Sequence, residues 1–299
     1  MPMKIRQLLL ALLLSALLLP GAVLAAAGTP PDPGPAPPRA KVLGGTDTLP
    51  GTWPWMTALL DASQPDLYYA QYCGGVLVGA SWVLTAAHCV DFASPGDIDV
   101  AVGVRDLNNF TGPRLAVSAI VVHPDYDAGR LVNDIALLKL ATPSSAEPVP
   151  LFSGRSRDKI PSSLLGQTTT LLGWGLYNTT AYPYFPSILQ QVDLPVVSDS
   201  VCTAAFGIPL ADSQVCAGYP AGKDACRGDS GGPLVVRVDN RWVHAGLVSY
   251  GTDCVQEGGF YGVYTRTSSF IDFISQYVPD LQVTSGAPQG LPWLLLLMH

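Results

Sequence analysis

The sequence predicts an all-β protein with one helix near its C-terminus. Between about residues 42 and 280, short apolar runs recur: Gly75–Val78, Ile98–Val104, Val117–His123, Ile135–Leu140, Thr168–Leu172, Leu234–Val238 and Val243–Val248. Gly, Pro, Asn and Asp bound each run, and strands of this length separated by turn signals imply an antiparallel sandwich or barrel. No long helical period interrupts them until Phe270, Ile271, Ile274, Tyr277 and Val278 recur at helical spacing, with Ser268 and Ser269 available as caps. That helix is expected to lie amphipathically on the barrel surface.

The ends are expected to stand outside this fold. The first 25 residues contain 18 apolar ones, with Lys4 and Arg6 ahead of a leucine-rich core and Ala25-Ala26-Ala27 behind it. This is the layout of a secretory signal peptide, and Pro20-Gly21 ends the apolar stretch before it could span a bilayer. Residues 26–41 read as a pro-segment, because six prolines among residues 28–41 favour an extended, solvated chain. Residues 281–299 form a tail whose last ten residues are mostly apolar. Its spacer and apolar end are both short for a lipid-anchor signal, so an unprocessed apolar end is the simpler reading and membrane association stays open.

Composition narrows the function. With 48% apolar and 13% charged residues the chain is not disordered, and 16 basic against 23 acidic residues give a net charge of -7 that repels nucleic acid. Residues 1–41 carry Lys4, Arg6, Arg39 and Lys41 against Asp32, a net of +3, so their removal takes the chain to -10. The six cysteines, Cys73, Cys89, Cys202, Cys216, Cys226 and Cys254, are an even set in a secreted chain, so disulfides are expected. Paired in sequence order they close loops of 16, 14 and 28 residues, each worth ~3 kcal/mol in the chain-entropy account. Spacing alone does not choose among the pairings. Neither a CxxC pair nor a His-Cys cluster points to zinc, and neither a metal nor a cofactor is expected.

Three segments carry the chemistry: Leu84-Thr85-Ala86-Ala87-His88-Cys89, Asn133-Asp134-Ile135-Ala136-Leu137-Leu138 and Cys226-Arg227-Gly228-Asp229-Ser230-Gly231-Gly232-Pro233. Together and in this order they resemble the trypsin/chymotrypsin family of serine proteases, from Val42 to the helix ending near Val278. The resemblance implies two packed antiparallel six-stranded β-barrels with a C-terminal surface helix, and a secreted endopeptidase using His88, Asp134 and Ser230. The residues agree: a serine hydroxyl needs a neighbouring base, and His88 is the candidate, because His123 sits in a turn, His244 in a strand and His299 at the terminus. Asp134 would fix the imidazole tautomer. The backbone N–H groups of Gly228 and Ser230 would receive the oxyanion, where side chains must not intrude.

The resemblance also implies substrate choice. Asp224 falls at the floor of the primary pocket and favours arginine or lysine, while Gly251 and Gly262 match its walls and Ser249 a position that meets the substrate backbone beside Asp134. Ala225, where many relatives place serine, removes an acceptor for lysine ammonium, so arginine is expected over lysine. Cutting after Lys41 would free Val42, whose ammonium would pair with Asp229. Here Val42-Leu43 stands in place of the usual Ile-Val, and no cysteine precedes Lys41 to keep the pro-segment attached.

Other departures set limits. The loop Val104–Phe110 lacks the glutamates that bind calcium in some relatives, and Tyr261 before Gly262 is the residue type found with a sodium site in others, in a loop unlike theirs. Arg227 either favours acidic residues after the scissile bond or lies in solvent. Asn109 and Asn178 fit the glycosylation pattern. The expected partners are protein or peptide substrates with Arg/Lys and protein protease inhibitors, with no nucleic acid, for a monomer. The competing readings are a silent homologue acting as a binding module and a protease of non-basic specificity.

Overall fold

The computed structural model describes residues 45–154, 164–176, 185–219, 228–251 and 260–285. Two patterns build its strands: alternation, as in β10 (Gln190–Val197), where Gln190, Val192, Leu194 and Val196 point inward while Asp193 faces solvent, and burial of both faces, as in Trp82–Thr85.

A two-residue strand β1 (Thr46–Asp47) pairs with β10 of the second barrel. The first barrel follows: β2 (Met56–Asp61), β3 (Gln71–Gly79), β4 (Trp82–Thr85), β5 (Ile98–Val102), β6 (Leu115–Val122) and β7 (Ala136–Leu140) close antiparallel in the order β2-β3-β4-β7-β6-β5. Between β2 and β3 sits a one-turn helix α1 (Leu67–Ala70), whose N-cap Asp66 accepts from the backbone N–H groups of Tyr68 and Tyr69.

After β8 (Leu151–Phe152), the second barrel uses β9 (Thr168–Gly173), β10 (Gln190–Val197), β11 (Gln214–Tyr219), β12 (Pro233–Val238), β13 (Arg241–Gly251) and β14 (Phe260–Arg266). Their order is β12-β9-β10-β11-β14-β13, and β12 pairs with β13 to close the ring. That last hairpin turns through Asp239 and Asn240, both at positive φ (48° and 62°), as a two-residue connection matching the strand twist requires. A helix α2 (Asp199–Phe206) joins β10 to β11, and β15 (Val283–Thr284) runs beside β8.

The two six-stranded barrels agree with the expected architecture, and the C-terminal helix differs in detail. Thr267–Phe270 is a 3-10 turn, and only Ile271–Ser275 (α3) is α-helical. Ser268 and Ser269 lie inside that turn and do not cap the α-helix, whose N-cap is Phe270 with no side-chain cap bond. Phe270, Phe273, Ile274 and Val278 are buried against the first barrel, where Phe270 and Phe273 bracket His123 and Tyr277 stacks by Trp82. Among the described residues two disulfides are present, Cys73–Cys89 and Cys202–Cys216. Cys226 and Cys254 lie outside the described residues, as do Lys41, Val42, Asp224, Ala225, Arg227, Asn178, residues 1–44 and residues 286–299; the start of the expected tail, residues 281–285, instead joins the sheet through β15.

Candidate active site

His88 stands in the 3-10 turn Ala87–Cys89 that follows β4, and the Cys73–Cys89 disulfide ties this turn back to β3. Its ring is 24% exposed, while the Asp134 side chain facing it is fully buried. Asp134 arrives from a contorted approach to β7: Leu131 and Asn133 both take positive φ (48° and 54°), and the Asn133 side chain donates to Asp125 O at 2.9 Å.

The buried carboxylate is held on every side. The backbone N–H of His88 donates to Asp134 Oδ1 at 2.9 Å, and His88 Nδ1 lies 2.7 Å from Oδ2. Ser249 Oγ donates to the same Oδ2 at 2.6 Å, and Thr265 Oγ1 to the Asp134 backbone oxygen at 2.8 Å. A carboxylate out of water is costly unless paired and hydrogen-bonded, and this one is both. A carboxylate at Nδ1 keeps the proton there, which leaves Nε2 as the basic nitrogen. Ser249 reaches inward because β13 bulges: pairing with β14 slips between Val248 and Tyr250, and the extra residue is re-aimed.

Ser230 is anchored from both barrels. Its carbonyl accepts from Gly74 N of β3 at 2.7 Å, while the next residue, Gly231, donates to Val248 O of β13 at 2.9 Å. Thr85 Oγ1 donates to Gly74 O at 2.7 Å, and a Cβ on Gly231 would sit 3.1 Å from Ala86 N. The Ser230 segment thus abuts the chain two residues ahead of His88. Gly228 has φ +99°, a region L side chains rarely adopt, and a Cβ there would meet Gly175 Cα at 3.2 Å and the Phe185 ring at 3.3 Å. Its carbonyl accepts from Gln71 Nε2 at 3.2 Å, an amide that also donates to Cys73 O. Asp229 is buried and accepts from Gly175 N at 2.7 Å. Gly251 and Gly262 sit directly opposite each other at the open end of β13 and β14.

The sequence offered no His-Cys cluster, yet the fold gathers His88 with the sulfurs of Cys73 and Cys89. Both sulfurs belong to one disulfide, so no thiolate is present to ligate a metal. Two residues of the site carry no motif: Thr265 and Gln71 act through hydrogen bonds to backbone carbonyls from distant strands, a role any hydroxyl or amide side chain can fill. His244, by contrast, is wholly buried in β13 with Thr267 Oγ1 3.1 Å from Nδ1, and burial pushes its pKa down to about 3.

Two closed six-stranded barrels, with a histidine and buried carboxylate on one and a glycine-flanked serine on the other, define a class. The sequence profile of the trypsin family matches residues 42–274. Mouse (Mus musculus) tryptase is 36% identical over 262 residues, covering 83% of this chain and 92% of its own length. Brachyurin of Leptuca pugilator is 33% identical over 237 residues, covering 78% of this chain and 96% of its own. Mouse transmembrane protease serine 7 is 35% identical over 253 residues, which are 81% of this chain but 29% of that longer protein. The chain belongs to the trypsin family of serine proteases. No helix among the described residues is long and apolar enough to cross a membrane.

Proposed function

We propose that the chain is a secreted serine endopeptidase, activated by cleavage after Lys41, that hydrolyses peptide bonds following arginine and, less readily, lysine. The observation that carries this reading is the ordered line from Ser249 through Asp134 to His88, beside a Ser230 backbone pinned by both barrels.

The mechanism follows from those positions. Ser230 Oγ attacks the scissile carbonyl carbon as its proton passes to His88 Nε2, and the imidazolium is steadied by Asp134. The carbonyl oxygen becomes an oxyanion and takes hydrogen bonds from the N–H groups of Gly228 and Ser230. Collapse breaks the C–N bond, His88 gives its proton to the departing amine, and an acyl ester remains on Ser230. Water, deprotonated by His88, then attacks the ester and releases the acid and Ser230.

Specificity rests on Asp224 at the pocket floor, with Gly251 and Gly262 leaving the walls open. An apolar side chain there would strand a desolvated carboxylate, whereas a guanidinium pairs with it. Residues 1–25 direct secretion, 26–41 act as the pro-segment, and 281–299 are a tail. The Val42 ammonium pairs with Asp229 after activation and thereby shapes the Gly228 N–H.

Labelling with a fluorophosphonate tests the catalytic core. The processed protein is expected to label, Ser230→Ala is not, and absence of labelling in the processed wild type refutes the reading. Lys41→Gln is expected to stay inactive after secretion; undiminished activity removes the activation step. Matched arginyl and lysyl substrates test the pocket, and a lysine preference overturns the role given to Ala225.

A further inference from the structure

A cavity of about 550 Å³ opens on the first barrel, lined among others by Asp61, Tyr69, Tyr72, Phe92, Asp97 and Ile98. Its size falls in the ~300–1,000 Å³ usual for ligand pockets. Tyr69 and Phe92 are large rings left 74% and 76% exposed. Rings turned outward at a pocket offer their faces to whatever enters it.

Two carboxylates also line it, each accepting only local hydrogen bonds. Asp61 Oδ1 accepts from Ser63 N and Oγ at 2.8 and 2.7 Å, and Asp97 Oδ2 from Ser94 N at 2.8 Å. Among the described residues neither has a salt-bridge partner: the neighbouring Arg114 pairs with Asp99 at 3.2 Å and otherwise donates to the carbonyls of Asp61, Gln64 and Pro65, and its charge, after the Ser63 hydrogen bonds, helps hold the Asp61 carboxyl below its usual pKa. Asp61 acts on the pocket wall: the Tyr72 phenol is pushed up to about 12 by burial first and by the Asp61 charge second.

The cavity also has a place relative to the chemistry. Tyr72 precedes Cys73, which is bonded to Cys89 beside His88, and Phe92 follows within the same turn region. Gln71, next to Tyr72, donates to Gly228 O. In the proposed reaction His88 hands its proton to the departing amine, so residues after the scissile bond run along the wall beside His88. In the same reading the Ser249–Gly251 strand serves the opposite, acyl side.

We infer that this cavity is a subsite for a basic side chain on the leaving-group side of the substrate, held between the rings of Tyr69, Tyr72 and Phe92 and the carboxylates of Asp61 and Asp97. The inference rests on the protease reading above. A cation satisfies rings and carboxylates together. An acidic side chain meets two like charges, and an apolar one would cover them without pairing them.

The test uses the processed full chain and internally quenched peptides with arginine before the scissile bond. Arginine, leucine or glutamate is placed in turn at each of the first three positions after it. At one of those positions kcat/KM is expected to favour arginine over glutamate by about tenfold or more. The ratio should fall toward one in the Asp61→Asn/Asp97→Asn double variant and decrease in Phe92→Ala; being taken within one protein, it does not depend on how much of a variant folds. A flat profile at all three positions, a preference for glutamate, or a ratio that survives the double variant overturns the subsite. An arginyl p-nitroanilide, with no residue after the scissile bond, separates the two readings. If the wild type cleaves it and the peptide profile is flat, the subsite alone falls; if the wild type cleaves neither, the protease reading falls and takes the subsite with it.

Discussion

Acid should destabilise this protein through His244, and the effect can be worked out. The imidazole is wholly buried in β13, and burial lowers its pKa from 6.5 to about 3, partly offset by the backbone of Gly246. In the unfolded chain the group returns to the ordinary value near ~6.5. Below that pH the unfolded state gains a proton that the folded state refuses, so stability falls as pH falls from about 6.5 toward 3. At pH 7 the difference is small. At pH 5 it amounts to about 2 kcal/mol, since each pH unit below the unfolded pKa is worth ~1.4 kcal/mol. Urea unfolding of the Ser230→Ala protein at pH 7 and pH 5, with and without His244→Gln, isolates the contribution because all other titrating groups are common to both. The parent is expected to lose about 2 kcal/mol more than the variant between the two pH values. Equal losses would refute the reasoning.

Asp134→Asn is expected to lower kcat by about 10⁴-fold, the scale on which a triad histidine loses function without its carboxylate; steady-state cleavage of an arginyl substrate measures it, and a drop of less than tenfold would deny Asp134 its role. Thr265→Val leaves the buried Asp134 carbonyl without its 2.8 Å donor. That should cost ~1–3 kcal/mol, read as a fall in Tm of about 2–4 °C per kcal/mol for a domain of this size. Replacing Cys202 and Cys216 together with alanine opens a 14-residue separation, at a cost of ~3 kcal/mol in a denaturant titration.

Which parts of the molecule were legible in the sequence follows from where their information lies. His88, Asp134 and Ser230 each sit in a short segment whose neighbours are dictated locally: alanines and a cysteine in a tight turn, an apolar strand after the aspartate, glycines where backbone must approach backbone. Thr265 and Gln71 act across sequence separations of 131 and 157 residues, and nothing in their immediate neighbours marks them. The strand Gln190–Val197 hid for a different reason. Its inward face begins with a buried glutamine and its run contains Pro195, so the apolar alternation is broken at both ends. The helix Asp199–Phe206 buries only Cys202 and so shows no apolar stripe. The serines ahead of the last helix were misleading because they fall within the 3-10 turn Thr267–Phe270, and the N-cap position is taken by Phe270, whose ring packs on His123.

The hydrogen bonds around Asp134 also bear on how the chain is made. Synthesis delivers the first barrel before the second, and domains tend to fold in that order. A chain that has completed only β2 to β7 contains the two His88 donors to the Asp134 carboxylate, but neither the Ser249 hydroxyl that donates to the same carboxylate nor the Thr265 hydroxyl that donates to the Asp134 backbone oxygen. Gly74, which later grips the Ser230 carbonyl, likewise has nothing yet to grip. Full bracing of Asp134 therefore waits on the second barrel, whose last-made strands carry both missing hydroxyls.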